Sequence, residues 1–126
     1  MAGTEEAAEG VAEDGRRFGE FVIVRRHGGG GHVAELVLDR PKAMNAVSTE
    51  MARSIAAACV ALAADGSVRT TVLTSTHARA FCVGADLKER NSLSDAELVR
   101  QRPVARAAYT GVLDLPMPVV AAVHGF

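Results

Sequence analysis

Thr70-Thr-Val-Leu-Thr-Ser-Thr-His-Ala-Arg-Ala-Phe-Cys-Val-Gly-Ala-Asp-Leu-Lys-Glu-Arg90 is the stretch on which the fold turns. Thr70 to Thr74 reads as a buried strand, because β-branched and apolar residues run together there without helical spacing. A polar turn follows, Gly84 sits where backbone must approach something closely, and then the composition switches to helix formers with Asp86 near the start. Strand, turn and helix in that order make the repeating unit of an α/β domain. Free N–H groups converge at such a helix start and suit an anion or a developing oxyanion. An ordinary strand-to-helix turn, with glycine for flexibility, fits the local pattern as well.

Working upstream, Met51, Ile55, Cys59 and Leu62 recur at helical spacing. Ser48 can cap that helix, Glu50 suits its positive end, and Asp65-Gly66 stops it. Before it, Phe21 to Val24 and Val33 to Leu38 flank a glycine cluster at Gly28 to Gly31, which predicts a β-hairpin. Ala34, Leu36 and Leu38 fall on one face of its second arm, with Glu35 and Asp39 on the other. Downstream, Ser94-Asp-Ala-Glu97 is a capping-box pattern opening a helix toward Leu113, which Pro103 should kink or restart. Pro116 and Pro118 break the chain before Val119 to Val123, a run suited to a strand buried on both faces. The order β-β-α-β-α-β predicts a largely parallel sheet.

The 126 residues suit a single domain. Met1 to Arg17 hold little apolar surface and are expected to be a disordered leader, with the domain running from Phe18 to Phe126. Residues 1–20 carry six acids against two bases, and residues 21–126 nine against twelve, so the formal −1 conceals a body of +3. That balance argues against nucleic acid as a partner. The longest apolar run, Ile55 to Ala64, is ten residues, short of the roughly 20 that span a bilayer, so no membrane association is expected. Cys59 and Cys82 form no CxxC pair, and the start of the chain lacks secretory or transit patterning; a cytoplasmic location is the expectation.

Several catalytic signatures are absent: GxxxxGK[ST], HExxH and GxSxG. Gly29 to Ala34 matches GxGxxA formally but runs into a strand, where dinucleotide binding needs a helix. His27 and His32 flank that tip as exposed turn residues, and no metal site is expected. Arg40-Pro41-Lys42-Ala43-Met44-Asn45-Ala46 is a second candidate segment. Pro41 stiffens the strand exit, Lys42 offers a point charge for phosphate, and small residues would let a ligand lie along the backbone. A plain strand-to-helix connection with a solvent-facing lysine is what the local pattern by itself favours.

Taken together, "LDRPKAMNAVS" (38–48), "AFCVGADLKE" (80–89) and "LPMPVVAAVHGF" (115–126) resemble the enoyl-CoA hydratase/isomerase, or crotonase, family. The "KER" at 88–90 makes the chain look most like methylglutaconyl-CoA hydratases. The resemblance covers Phe21 to Phe126 and implies an α/β, ClpP/crotonase-like fold with repeated β-β-α units, incomplete at its C-terminal end. It implies that Lys42, Ala43, Met44 and Ala46 line a coenzyme A site. It implies that the N–H of Ala85 is one of two oxyanion-hole donors, and that Val83, Gly84, Asp86, Leu87 and Lys88 border the acyl thioester and its pantetheine arm. The implied reaction is syn addition of water to an α,β-unsaturated acyl-CoA, with no cofactor beyond the coenzyme A of the substrate. Attack at C3 drives charge onto the thioester oxygen, which aligned amides stabilise.

The family's second amide lies just beyond the "HGF" equivalent, its catalytic glutamates later, and its trimerising helices later again. Glu89, Glu97 and Asp114 match none of those positions. The chain therefore reads as the front part of an acyl-CoA hydratase whose relatives assemble as trimers or hexamers. A non-catalytic acyl-CoA-binding or interaction fragment is the competing reading, and isomerase or hydrolase chemistry shares this front half. Apolar surface left on Val119 to Val123 and the inner helix faces predicts aggregation or poor cooperativity of the isolated chain.

Overall fold

The two runs flanking the glycine cluster pair as the sequence predicts. In the computed structural model, which describes residues 11–12 and 15–126, β3 (Val22–His27) and β4 (Val33–Leu38) form an antiparallel hairpin with Val22 opposite Leu38 and His27 opposite Val33. Four further strands complete one sheet in simple sequence order: β1 (Val11–Ala12), β2 (Gly15–Phe18), β5 (Thr70–Ser75) and β6 (Val119–Ala121). His27 is exposed but not idle, since its Nε2 lies 2.8 Å from Glu35 across the hairpin.

The helices begin where their caps say. Ser48 accepts the Met51 N–H and opens α1 (Thr49–Ala64), which ends at Asp65. Asp86 accepts the Glu89 N–H and opens the short α2 (Leu87–Ser92). Ser94 and Glu97 form a reciprocal capping box at the start of α3 (Asp95–Leu113). α1 buries Met51, Ala52, Ile55, Ala58, Cys59 and Leu62 against Val22, Ala34, Leu36 and Leu38 of the sheet. Each large side chain so buried contributes about 1.5–3 kcal/mol. α3 lies on α1 through a narrower seam with only Ala108 fully buried, and Gly111 brings its backbone close to Cys59. Burial pushes the Cys59 thiol up to about 11, so it stays protonated and unreactive.

Four expectations need correction. The leader expected through Arg17 is ordered in part: Gly15 to Phe18 pair with β3, and Val11–Ala12 with β2. Composition counts side chains, whereas these residues are held by the free backbone groups on the edge of β3 and by Arg16 stacking 4.5 Å over the Phe18 ring. Met1 to Gly10, Glu13 and Asp14 lie outside the described residues. The sheet is mixed, not largely parallel: β1 to β4 are antiparallel and only β4, β5 and β6 run parallel. The connections between the first four strands are too short for crossovers, and only the two helical connections are long enough.

The expected burial of the later strands also fails. In β5 only Thr71 is fully buried, and β6 is a three-residue edge strand with Val120 55% exposed and Ala121 exposed. An apolar run states that a strand could be buried, not that a neighbour covers it. Pro103, finally, does not restart the helix: of the expected kink or restart, the restart fails, since α3 runs from Asp95 through Pro103 to Leu113. Pro103 and Val99 both lie on the exposed side, so water can bond the Val99 carbonyl that loses its partner.

Candidate functional site

The site is built from two loops that leave the same end of the sheet, residues 40–47 after β4 and residues 76–86 after β5. Pro41 to Ala43 form one turn of 3-10 helix, and Met44 and Asn45 then both take left-handed backbone, with φ of 51° and 58°. Such a pair costs on the order of 1–2 kcal/mol per residue. Asn is among the few non-glycine residues that tolerate it, and Asn45 is locked there by its amide. Its Nδ2 donates to the Ser75 Oγ at 2.7 Å and the Phe81 carbonyl at 2.9 Å, and its Oδ1 accepts the Arg40 N–H at 2.7 Å. The side chain is fully buried with every polar atom engaged.

With the turn fixed, the two loops zip together like a short parallel ladder. Val83 N–H donates to the Met44 carbonyl, Val47 N–H to the Gly84 carbonyl at 2.7 Å, and Asp86 N–H to the Val47 carbonyl at 3.1 Å. Ala85 is therefore the residue whose own amide faces away from Val47. Among the described residues its N–H has no hydrogen-bond partner, and Ala85 is exposed. Gly84 reaches this geometry at φ +95°, with open space where a Cβ would stand; glycine is needed for the torsion and not for room.

Asp86 is spent on support. Its Oδ1 accepts the Glu89 N–H at 3.0 Å and its Oδ2 accepts from Arg40 Nη1 at 2.8 Å, a nitrogen that also reaches the Ala46 carbonyl. The Glu89 N–H, and then the Arg40 guanidinium, hold the Asp86 carboxyl below its ordinary range. Arg40 also lies 5.1 Å over the Phe21 ring. Glu89 is engaged too, its Oε1 accepting both the N–H and the hydroxyl of Thr49. Below the ladder, the Phe126 carbonyl accepts the N–H groups of Phe81 and Cys82. Gly125, at φ +60°, crosses so near Arg79 that a Cβ there would run into its carbonyl oxygen.

Of the residues singled out in the sequence, Ala43, Met44, Ala46, Val83, Gly84, Ala85 and Asp86 are brought together by this ladder. Val83, Leu87 and Lys88 are exposed beside it, and Lys42 is exposed on the 3-10 turn. Sequence reasoning missed Arg40, Asn45, Thr49 and Glu89 as supports. The one usable signal was an asparagine in a tight connection without glycine. Chemically, the arrangement offers the unpartnered amide of Ala85 flanked by apolar and basic side chains.

The sequence profile of the enoyl-CoA hydratase/isomerase family matches residues 28–126. A Bacillus subtilis protein named for that family is 36% identical over 94 residues, which are 75% of this chain and 36% of the relative. The mitochondrial methylglutaconyl-CoA hydratase of Homo sapiens is 33% identical, over 74% of this chain and 27% of the relative. The crystal structure of an enoyl-CoA hydratase/carnithine racemase from Magnetospirillum magneticum superposes with a TM-score of 0.77 at 31% identity, covering 84% of this chain and 39% of that one. The chain thus spans between about a quarter and two fifths of the length of these proteins, and its fold is crotonase-like. It belongs to the enoyl-CoA hydratase/isomerase family.

Proposed function

We propose that the N–H of Ala85 donates to the carbonyl oxygen of an acyl-CoA thioester and stabilises the enolate formed when water adds to an α,β-unsaturated chain. The observation that carries this reading is the unpartnered amide of Ala85, held outward by the bonds of Val47 to Gly84 and Asp86. Water oxygen bonds to C3, a proton is delivered to C2, and the charge passing through the thioester oxygen is met by a dipole already in position. One such donor is worth about 10²–10³ in rate. Lys42, Ala43, Met44 and Ala46 would carry the coenzyme A portion, and Val83, Leu87, Lys88 and the backbone at Gly84 and Asp86 the thioester and pantetheine. The reading calls for no metal and no cofactor beyond the coenzyme A that the substrate brings.

A second reading rests on the engaged carboxylates. Asp86 and Glu89 are both bonded to backbone and side-chain donors, so neither is free to act as a base beside Ala85. On that reading the chain alone binds acyl-CoA without turning it over. Crotonyl-CoA hydration by the purified chain, followed at the enoyl-thioester absorbance, separates the two. Turnover rejects simple binding, binding without turnover supports it, and the absence of both removes the acyl-CoA assignment. The cytoplasm expected from the sequence competes with the mitochondrion printed in the name of the human relative, and cell fractionation decides between them.

A further inference from the structure

We propose that the cleft between the N-terminal halves of α1 and α3 is a binding site for an aliphatic carboxylate, gripped by Arg53 and Arg100 from opposite walls. The cleft has a volume of about 280 Å³ and is lined by Thr49, Arg53, Leu93, Glu97, Arg100, Gln101 and Val104. Thr49 and Arg53 stand one turn apart on α1, Glu97, Arg100, Gln101 and Val104 share one face of α3, and Leu93 closes the end between α2 and α3.

Its chemistry is selective because its carboxylate and its hydroxyl are already used while its cations are not. Glu97 Oε1 accepts the Ser94 N–H, and the Thr49 hydroxyl donates to Glu89. Among the described residues, neither Arg53 nor Arg100 has a hydrogen bond or a salt bridge within 4 Å. After the Ser94 N–H, Arg100 is near enough to Glu97 to help hold its carboxyl below the ordinary range, so two guanidiniums share one committed carboxylate and the lining keeps a net charge of +1. Planar guanidiniums suit a carboxylate held through paired N–H groups, Gln101 adds an amide, and Leu93 and Val104 offer apolar surface to the attached chain. A short aliphatic acid satisfies all three; a bare inorganic anion leaves the apolar walls unused. Thr49 follows by two residues the Val47 that bonds the Ala85 turn, so the rim lies within about 7 Å of Val47. The carboxylate can therefore belong to a free acid or to the far end of a thioester-borne chain. The site itself stands independently of the acyl-CoA reading.

Glutarate titrated into the ¹⁵N-labelled full chain is the test, read at the side-chain signals of Arg53, Arg100 and Gln101. Saturable shifts with a Kd on the order of 1 mM or tighter are expected. Arg53→Gln and Arg100→Gln should each weaken binding about tenfold, with Arg100→Lys in between because it keeps charge without the planar fork. Inorganic phosphate at matched ionic strength should bind more weakly. Displacement of glutarate by glutaryl-CoA but not butyryl-CoA identifies the thioester-borne source, and glutarate binding that neither displaces identifies the free acid. Absence of saturation, phosphate binding as tight as glutarate, or unchanged affinity in both glutamine variants overturns the proposal. These readouts do not depend on the Ala85 amide.

Discussion

The loops around Ala85 and the α3–β6 region are both at the surface, yet they are ordered by different physics. Around Ala85, the two loops are tied by specific backbone bonds, and buried Asn45 and the Arg40–Asp86 pair hold the left-handed Met44–Asn45 turn and the Gly84 turn in register. α3 rests on α1 through a thin apolar seam and β6 is held by one short backbone ladder to β5, while Leu113 is 81% exposed and Val123 66%. Polar clamping fixes direction, as a site aiming one amide requires. An apolar seam fixes proximity and tolerates change. The two regions should therefore respond in opposite ways to mutation.

The largest effect is expected in the sheet–helix core that carries both regions. Leu36→Ala, at a fully buried position, should destabilise the chain by about 2–5 kcal/mol in urea unfolding. Asn45→Ala should follow, at about 2–4 kcal/mol, because it strips partners from Ser75, Phe81 and the Arg40 amide while leaving the left-handed turn unsupported. A cost near that of an ordinary surface substitution would show that the clamp is not what holds the loop.

Asp86→Asn sharpens the same contrast through pH. The carboxyl of Asp86 is lowered in the folded chain, so its stabilisation is fully present above the unfolded value of about 3.9 and is lost as pH falls through the lower folded value. The variant should lose about 1 kcal/mol at pH 7 and show a flatter acid limb in pH-dependent melting. The smallest effect belongs to the other region. Leu113→Ser should change stability by less than about 0.5 kcal/mol, yet it should reduce self-association measured by sedimentation, since it removes exposed apolar surface.

What the sequence disclosed and what it hid divide along the same line. Ser48, Asp65 and the Ser94–Glu97 box act on neighbours within a few residues, so their reading needed no tertiary knowledge. Gly84, Ala85 and Asp86 were legible as a strand-to-helix turn for that reason. Asn45 was not, because its partners Ser75 and Phe81 lie 30 and 36 residues away. Pairing of Gly15 to Phe18 was hidden because backbone bonds leave no mark on side-chain composition. The exposure of β6 was hidden because an apolar run carries no information about what lies beside it.

The most direct measurement removes the Ala85 N–H, weakening only the neighbouring Gly84 carbonyl as the acceptor for Val47. A semisynthetic chain with an ester oxygen in place of the residue 85 peptide nitrogen keeps shape and side chains, and crotonyl-CoA bound to each form can be compared by the thioester carbonyl stretch. The native chain should shift that band to lower frequency and the ester chain should not, with coenzyme A itself binding both. An identical carbonyl band in the two chains would contradict the role given to the amide of Ala85.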